Sequence, residues 1–254
     1  MCLPKTDFDF VNEYYRKDFF VLKFLGIWVH DGAPTSTPYL VYFFVINLVV
    51  IFLFSICQII HVLLNSLTVV SFAAYFHTIP VAILAMVQSY YIFRHSKKFN
   101  ELYVAFSDSL FQPNTVDQLE VVRNLLKFHA NVKGWLVKVG TMANIAALTT
   151  PLFYKKNEQD LPFLMWCPFD ISGGVAYTIV YIYESIATLY ICYISIYIEI
   201  LFAGFATFIS LQCDLLCDNL KKINVQHDIV SRESLTRCIH HHWKILRFSK
   251  TTEA

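Results

Sequence analysis

The run His240-His241-His242 is the densest cluster of metal-competent side chains in the sequence. Membrane di-iron enzymes build octahedral iron sites from several such histidine boxes on the cytoplasmic side, because the metal needs many neutral imidazoles converging from separate helices. His95, His129 and His227 stand alone and complete no further box. The run therefore reads as the polar margin of an amphipathic cytoplasmic helix in which Leu235, Ile239 and Leu246 face a core. Cys213 and Cys217, four apart on one helix face, would supply half of a metal site, and no second pair with matching spacing follows. Glu184 and Glu199 interrupt an otherwise apolar stretch, where an ionised carboxylate is costly. Glu199 falls near an interface. Glu184 lies deeper and is either a cavity-lining hydrogen-bond partner or a bundle-facing carboxyl satisfied by a neighbouring Tyr or Ser. Nucleophile elbows, Walker loops and dinucleotide fingerprints are absent. These residues predict no enzyme, no metal and no cofactor.

What must position them is a membrane bundle. The chain has 254 residues, 56% hydrophobic, 17% aromatic and 15% charged, with a mean hydropathy of +0.50. That is more apolar side chain than one soluble domain of this size can hide. A net charge of +1 without a long basic block lacks the footprint of a nucleic-acid binder. The seven cysteines, an odd count scattered along the chain, imply no disulfide framework.

Hydropathy and charge then divide the chain. Residues 39–64 and 67–93 carry no formal charge and are each long enough to cross a hydrocarbon core of about 30 Å, which makes them spans 1 and 2 of a tight hairpin. Span 3 is expected at 135–153, with Trp135 in the interfacial belt and Lys138 snorkelling to the headgroups. Residues 171–212 would make one helix about 63 Å long. They are either two spans or one span continued into the cytoplasm. Lys5, Arg16, Lys17 and Lys23 precede span 1, six more Lys or Arg lie between spans 2 and 3, and seven follow residue 212. Only Lys155 and Lys156 fall on the other side, which favours a single span 4 with a cytoplasmic extension and both termini inside. The remaining segments are a cytoplasmic N-terminal part at 1–38, a cytoplasmic loop at 94–134, an outer loop at 154–170 and cytoplasmic helices at 213–254. Phe19 to Val29 reads as a helix that lies either on the inner leaflet or on the protein's own cytoplasmic face.

Three local patterns resemble the insect odorant receptor family. The first is the outer-loop run LPFLMWCPFD, carried by Leu161, Pro162, Phe163, Trp166, Pro168, Phe169 and Asp170. The second is Tyr177, Tyr181 and Tyr183 entering the fourth helix, where the family often has Gln in place of Glu184. The third is Leu235, Cys238, Ile239, His241, His242, Ile245, Leu246 and Phe248, similar to the cytoplasmic helix that leads into the family's fifth span.

The resemblance implies an all-α, polytopic transmembrane helix bundle with its N-terminus inside, showing four spans of a family plan of seven. The fifth to seventh spans, the last of them lining the pore, would lie beyond Ala254. It implies the ligand-tuning subunit of an odorant-gated cation channel in the plasma membrane of olfactory sensory neurons, with a small volatile odorant, an olfactory co-receptor subunit and the lipid bilayer as partners. A gustatory receptor, or a four-span transporter or scaffold, is the alternative. The loop would fold over the outer mouth of the bundle, burying Trp166 and the phenylalanines, while Asp170 caps the fourth helix. At helical spacing, the expected pocket has one wall of Phe72, Tyr75, Phe76 and Ile79, a second of Asn144, Ala147 and Thr150, and a third of Tyr177, Tyr181 and Glu184.

Overall fold

The computed structural model describes residues 10–28, 37–65, 69–153, 161–163, 165–171, 173–223 and 228–253. Among them all regular structure is helical: α1 (Phe10–Phe24), α2 (Thr37–Ile46), a π-helical stretch (Asn47–Phe52), α3 (Leu53–Leu64), α4 (Val69–Arg94), α5 (Ser96–Ala105), a 3-10 turn (Ser109–Phe111), α6 (Val116–Phe153), α7 (Gly174–Lys221) and α8 (Asp228–Glu253). The 48 residues of α7 form one helix. Gly204 is the sole Gly or Pro after Gly174, so no turn residue interrupts it.

The helices fall into two compact units, to each of which α6 and α7 contribute a length. One comprises residues 1–21, 95–133 and 199–254. Its core is aromatic. Phe106 stacks on Tyr15 at 4.5 Å and packs edge-on to Phe208 at 4.6 Å, with Phe205 and Phe248 close by. The Tyr15 hydroxyl donates to the Gly204 carbonyl at 3.0 Å. Several polar groups inside this core are paired, although Asp18 Oδ2 and Gln112 Oε1 are buried without a hydrogen bond. Lys133 binds the buried Asp18. Burial pushes the Asp18 carboxyl up, against the ammonium that holds it down. Asp108 accepts from the Leu110 N–H at 3.0 Å and from Lys244. Burial pushes its carboxyl up too, but these donors outweigh it and hold it below the ordinary carboxylate range.

In α8 the structure reverses the expected faces. Leu235, Ile239 and Leu246 are exposed, whereas Cys238, His241, Ile245 and Phe248 are buried. His241 is therefore a core residue, 3.0 Å from Gln212 Oε1, while the Gln212 amide donates to the Phe111 carbonyl at 3.0 Å. His240 and His242 are exposed, and among the described residues no three or more His, Cys, Asp or Glu side chains converge so as to hold a metal ion.

The second unit comprises residues 22–94 and 134–198. Here the expected Phe19–Val29 helix is helical as far as Phe24, and Val29 lies outside the described residues. α1 ends at Phe24, and Gly26 takes φ +79° while the Ile27 N–H returns to the Leu22 carbonyl at 3.0 Å. Three tyrosines close this terminus. Tyr42 donates to Phe24 O at 2.9 Å, Tyr190 to Leu25 O at 2.7 Å and Tyr39 to Trp28 O at 2.7 Å, satisfying carbonyls that a helix end leaves open. A Cβ on Gly26 would stand 2.8 Å from the Tyr42 ring, a second reason for glycine there.

Among the described residues three helices are long and apolar enough to cross a membrane by length and composition: Pro38–Leu64, Phe76–Arg94 and Gly174–Lys221. The segment expected as span 3 is the C-terminal half of α6, and Asn144, Thr141, Thr149 and Thr150 make it less apolar than those three. Large apolar side chains cover the outer surface of this unit, among them Val41, Phe44, Leu48, Phe52, Ile83, Val87 and Ile182. A soluble domain would not leave so much of this surface in water, and a bilayer solvates it.

Candidate ligand-binding site

Within the second unit a cavity of about 400 Å³ opens between five segments. Each supplies residues at the spacing its secondary structure dictates. From α6 come Gly140, Ala143, Asn144 and Ala147, a three- and four-residue periodicity that places small side chains on one face. From α7 come Thr188, Ile191, Cys192, Ser195 and Ile196, the same periodicity with larger groups. α4 adds His77, Thr78 and Val81 around Pro80, which lacks the N–H that would have bonded one turn back. Phe54 of α3 and Phe163 of the outer-loop run close the lining.

Gly140 sets the width of the gap. A Cβ there would overlap Ile196 Cδ1 and stand 3.4 Å from Cys192 Sγ, so the absence of a side chain lets α6 and α7 approach. Thr141 and Tyr193 hydroxyls, 3.1 Å apart, and the Tyr181 hydroxyl donating to Leu148 O at 2.6 Å join the same two helices. Tyr183 donates to Val49 O at 2.8 Å, inside the π-helical stretch whose wider turn displaces carbonyls from the α pattern.

The chemistry of the lining is apolar with few polar atoms. Thr188 satisfies its hydroxyl internally on Glu184 O at 2.8 Å. Asn144 Oδ1 and Ser195 Oγ are buried and make no hydrogen bond within the protein. In such a cavity they are the two groups a ligand would satisfy, since a buried polar atom left unpaired costs about 1–3 kcal/mol. One turn before Thr188, Glu184 is fully buried. The Phe163 amide approaches its carboxyl outside normal hydrogen-bond geometry, and neither carboxyl oxygen has a partner.

Of the described residues expected from sequence, Asn144 and Ala147 line the cavity, whereas Phe76, Ile79, Thr150, Tyr177, Tyr181 and Glu184 do not. Phe76 is exposed and Ile79 half-buried, while Phe72 and Tyr75 belong to α4 with side chains outside the described residues. Thr150 is exposed, its hydroxyl turned back to Ala146 O at 2.8 Å. Tyr177 and Tyr181 pair with each other, ring centres 6.0 Å apart, and Glu184 is packed away. On α7 the lining begins at Thr188, deeper than the Tyr177–Glu184 wall, and on α4 it uses another face of the same turns. The small-residue run at 140, 143, 144 and 147 was the available signal for the missed residues on α6.

The sequence profile described as 7tm odorant receptor matches residues 68–254. The chain belongs to the insect odorant receptor family. Solved odorant receptors share its fold. The olfactory receptor OR5 from Machilis hrabei superposes with a TM-score of 0.70 at 14% identity, over 96% of this chain and 65% of that one. The same receptor in complex with eugenol gives 0.73 at 18% identity, over 98% and 66%. This chain thus spans about two thirds of the length of those receptors. No functionally curated protein matches it.

The odorant receptor outer-loop run packs partly as expected. Leu161 and Met165 are buried and Trp166 is half-buried, its N–H donating to Cys57 O at 3.0 Å, but Phe169 is 53% exposed. α7 begins at Gly174, which puts Gly173 at the cap position and Asp170 upstream of it.

Proposed function

We propose that the cavity between α3, α4, α6 and α7 is an odorant site, and that the chain acts as the ligand-tuning subunit of an odorant-gated cation channel. The channel assembles with an olfactory co-receptor in the plasma membrane of olfactory neurons. In this arrangement residues 39–64, 67–93, 135–153 and 171–212 cross or enter the bilayer with both termini in the cytoplasm.

The observation that carries the reading is the pairing of an apolar cavity of about 400 Å³ with two unpartnered polar atoms, Asn144 Oδ1 and Ser195 Oγ. A pocket of this kind takes a small, largely apolar molecule and orients it through one polar group. Asn144 Oδ1 accepts and the Ser195 hydroxyl both donates and accepts, so a volatile bearing a hydroxyl fits better than a hydrocarbon. Eugenol, a phenol bound by the structurally similar Machilis hrabei receptor, is of that class.

The test is binding of eugenol and of a hydrocarbon of equal size to the purified chain in lipid nanodiscs, followed by tryptophan fluorescence. Ser195→Ala should weaken the phenol about tenfold, the equivalent of about 1.4 kcal/mol, and leave the hydrocarbon unchanged. Equal effects on both ligands would remove the polar-anchor reading. Odorant-evoked current on co-expression with the co-receptor tests the channel role separately.

A further inference from the structure

Two thiols outside the cavity remain without a role. Cys57 lies on α3, in the C-terminal half of the first apolar span, and is buried; Cys167 lies in the outer-loop run and is half-buried. They are distant in sequence, but the residue before Cys167 touches the backbone of Cys57. The Trp166 N–H donates to the Cys57 carbonyl at 3.0 Å, so Cys167 is one residue from the junction. Burial first and the Cys57 thiol second raise the Cys167 thiol above its ordinary pKa. Adjacent Cα atoms are about 3.8 Å apart, so the Cα of Cys167 lies within about 10 Å of that of Cys57, a range that includes the separation of about 4.4–6.8 Å a disulfide needs.

We propose that Cys57 and Cys167 are joined by a disulfide that straps the outer loop to the first span. The inference rests on the orientation proposed above, in which the loop and the end of α3 face the lumen of the secretory pathway and then the outside, where disulfides form and persist. The remaining described cysteines are elsewhere. Cys192 lines the cavity, and Cys213, Cys217 and Cys238 belong to the other unit, on the cytoplasmic side in that orientation.

The reaction is thiol–disulfide exchange with an oxidised dithiol oxidoreductase or with glutathione disulfide. One cysteine thiolate attacks the donor disulfide, forms a mixed disulfide and expels one donor sulfur as thiolate. The second cysteine thiolate attacks the mixed disulfide at the protein sulfur and expels the other donor sulfur. Two protons leave the cysteines, and the two electrons reduce the donor to two thiols. Burial raises the Cys167 thiol above its ordinary pKa, which keeps the packed loop short of thiolate. Exchange therefore belongs to the stage at which the loop docks.

The bond has a consequence for the cavity. Phe163, four residues before Cys167, is the loop's contribution to the lining, and a fixed Cys167 limits how far Phe163 can withdraw.

The experiment uses the full chain from insect-cell membranes. Its free thiols are blocked with N-ethylmaleimide in denaturant without reductant, and the digest is read by mass spectrometry. The expected result is a peptide pair linked through Cys57 and Cys167 that disappears on prior reduction, with two further maleimide adducts gained. Cys167→Ser should leave Cys57 alkylated, and Cys57→Ala should leave Cys167 alkylated. Quantitative alkylation of both residues in the unreduced wild type overturns the proposal, whatever the variants do, and so does a Cys167 linked to a different cysteine. An epitope inserted at Asn157 in the same preparation separates the causes. Free thiols with the epitope reached in intact cells refute the pairing alone, and free thiols with the epitope hidden refute the orientation together with it.

Discussion

His241 shows how the meaning of a residue depends on what its helix turns toward. In the sequence it is the middle of a polar triplet; in the structure it is 3% exposed beside Gln212 and Phe111. Burial lowers its pKa, with Arg237, Lys244 and His242 acting in the same sense and Asp108 opposing. The neutral ring then needs its proton on Nε2 to donate to Gln212 Oε1. Stability follows in sign. The unfolded imidazole takes up a proton near pH 6.5, the folded one only at lower pH, so between these values the unfolded chain binds more protons. Stability from this group is complete above pH 6.5 and is lost as pH falls below it. Thermal unfolding in nanodiscs should therefore show a melting temperature that drops between pH 7.5 and pH 5.5. His241→Gln should make that drop shallower without abolishing it, because His129 is also buried with its pKa lowered and contributes in the same direction. An unchanged pH slope in the variant would show that His241 titrates alike in both states.

At the scale of elements, two glycines separate packing that can yield from packing that cannot. A Cβ at Gly140 meets the tip of Ile196, a flexible side chain bordering an open cavity of about 400 Å³. A Cβ at Gly204 meets Tyr15 Cε1 at 2.8 Å, on a ring stacked against Phe106 at 4° and tied by its hydroxyl to Gly204 itself. Gly204→Ala should thus destabilise the chain by about 1–3 kcal/mol, the usual effect of overpacking. Gly140→Ala should leave the melting temperature nearly unchanged while displacing Ile196 into the cavity, so that affinity falls more for larger volatiles than for smaller ones. Melting curves and a ligand size series check the pair, and the reverse ranking would contradict the geometry. The same contrast explains what the sequence could reveal. Helices were legible because apolar runs without turn residues have few alternatives, and Asn144 and Ala147 were legible as an interruption in one of them. The lining of α4 and α7 was not, because a helix apolar on every side carries no periodic signal of which face meets its neighbours and which meets lipid. The buried face of α8 was misread for the opposite reason: both of its faces carry apolar residues, and His241 disguised the one that packs.

For the whole molecule the question is which way the bundle points, and α7 constrains the answer. At about 1.5 Å per residue its 48 residues extend about 72 Å, more than twice a hydrocarbon core of about 30 Å, and no turn lets it fold back. One end must protrude. The C-terminal end carries Asp214, Asp218, Lys221 and Lys222, with Asp218 bound to Lys222 at 2.6 Å and to Gln118 at 2.6 Å, which are surface interactions rather than bilayer ones. The Lys and Arg distribution then chooses the side. The regions before residue 39, between 94 and 134, and after 212 hold nearly all the cations, and the positive-inside rule assigns them to the cytoplasm. Epitopes at the N-terminus and after Ala254 should accordingly be reached by antibody only after permeabilisation, while one inserted at Asn157 is reached in intact cells. Surface labelling of the C-terminal epitope with the N-terminal one hidden would require an odd number of crossings, so that either the C-terminal half of α6 does not cross or α7 folds back. Surface labelling of both termini would leave the fold intact but invert it, placing the cavity's outer-loop side, Phe163 included, toward the cytoplasm, where a volatile arriving from outside would have to cross the bilayer first.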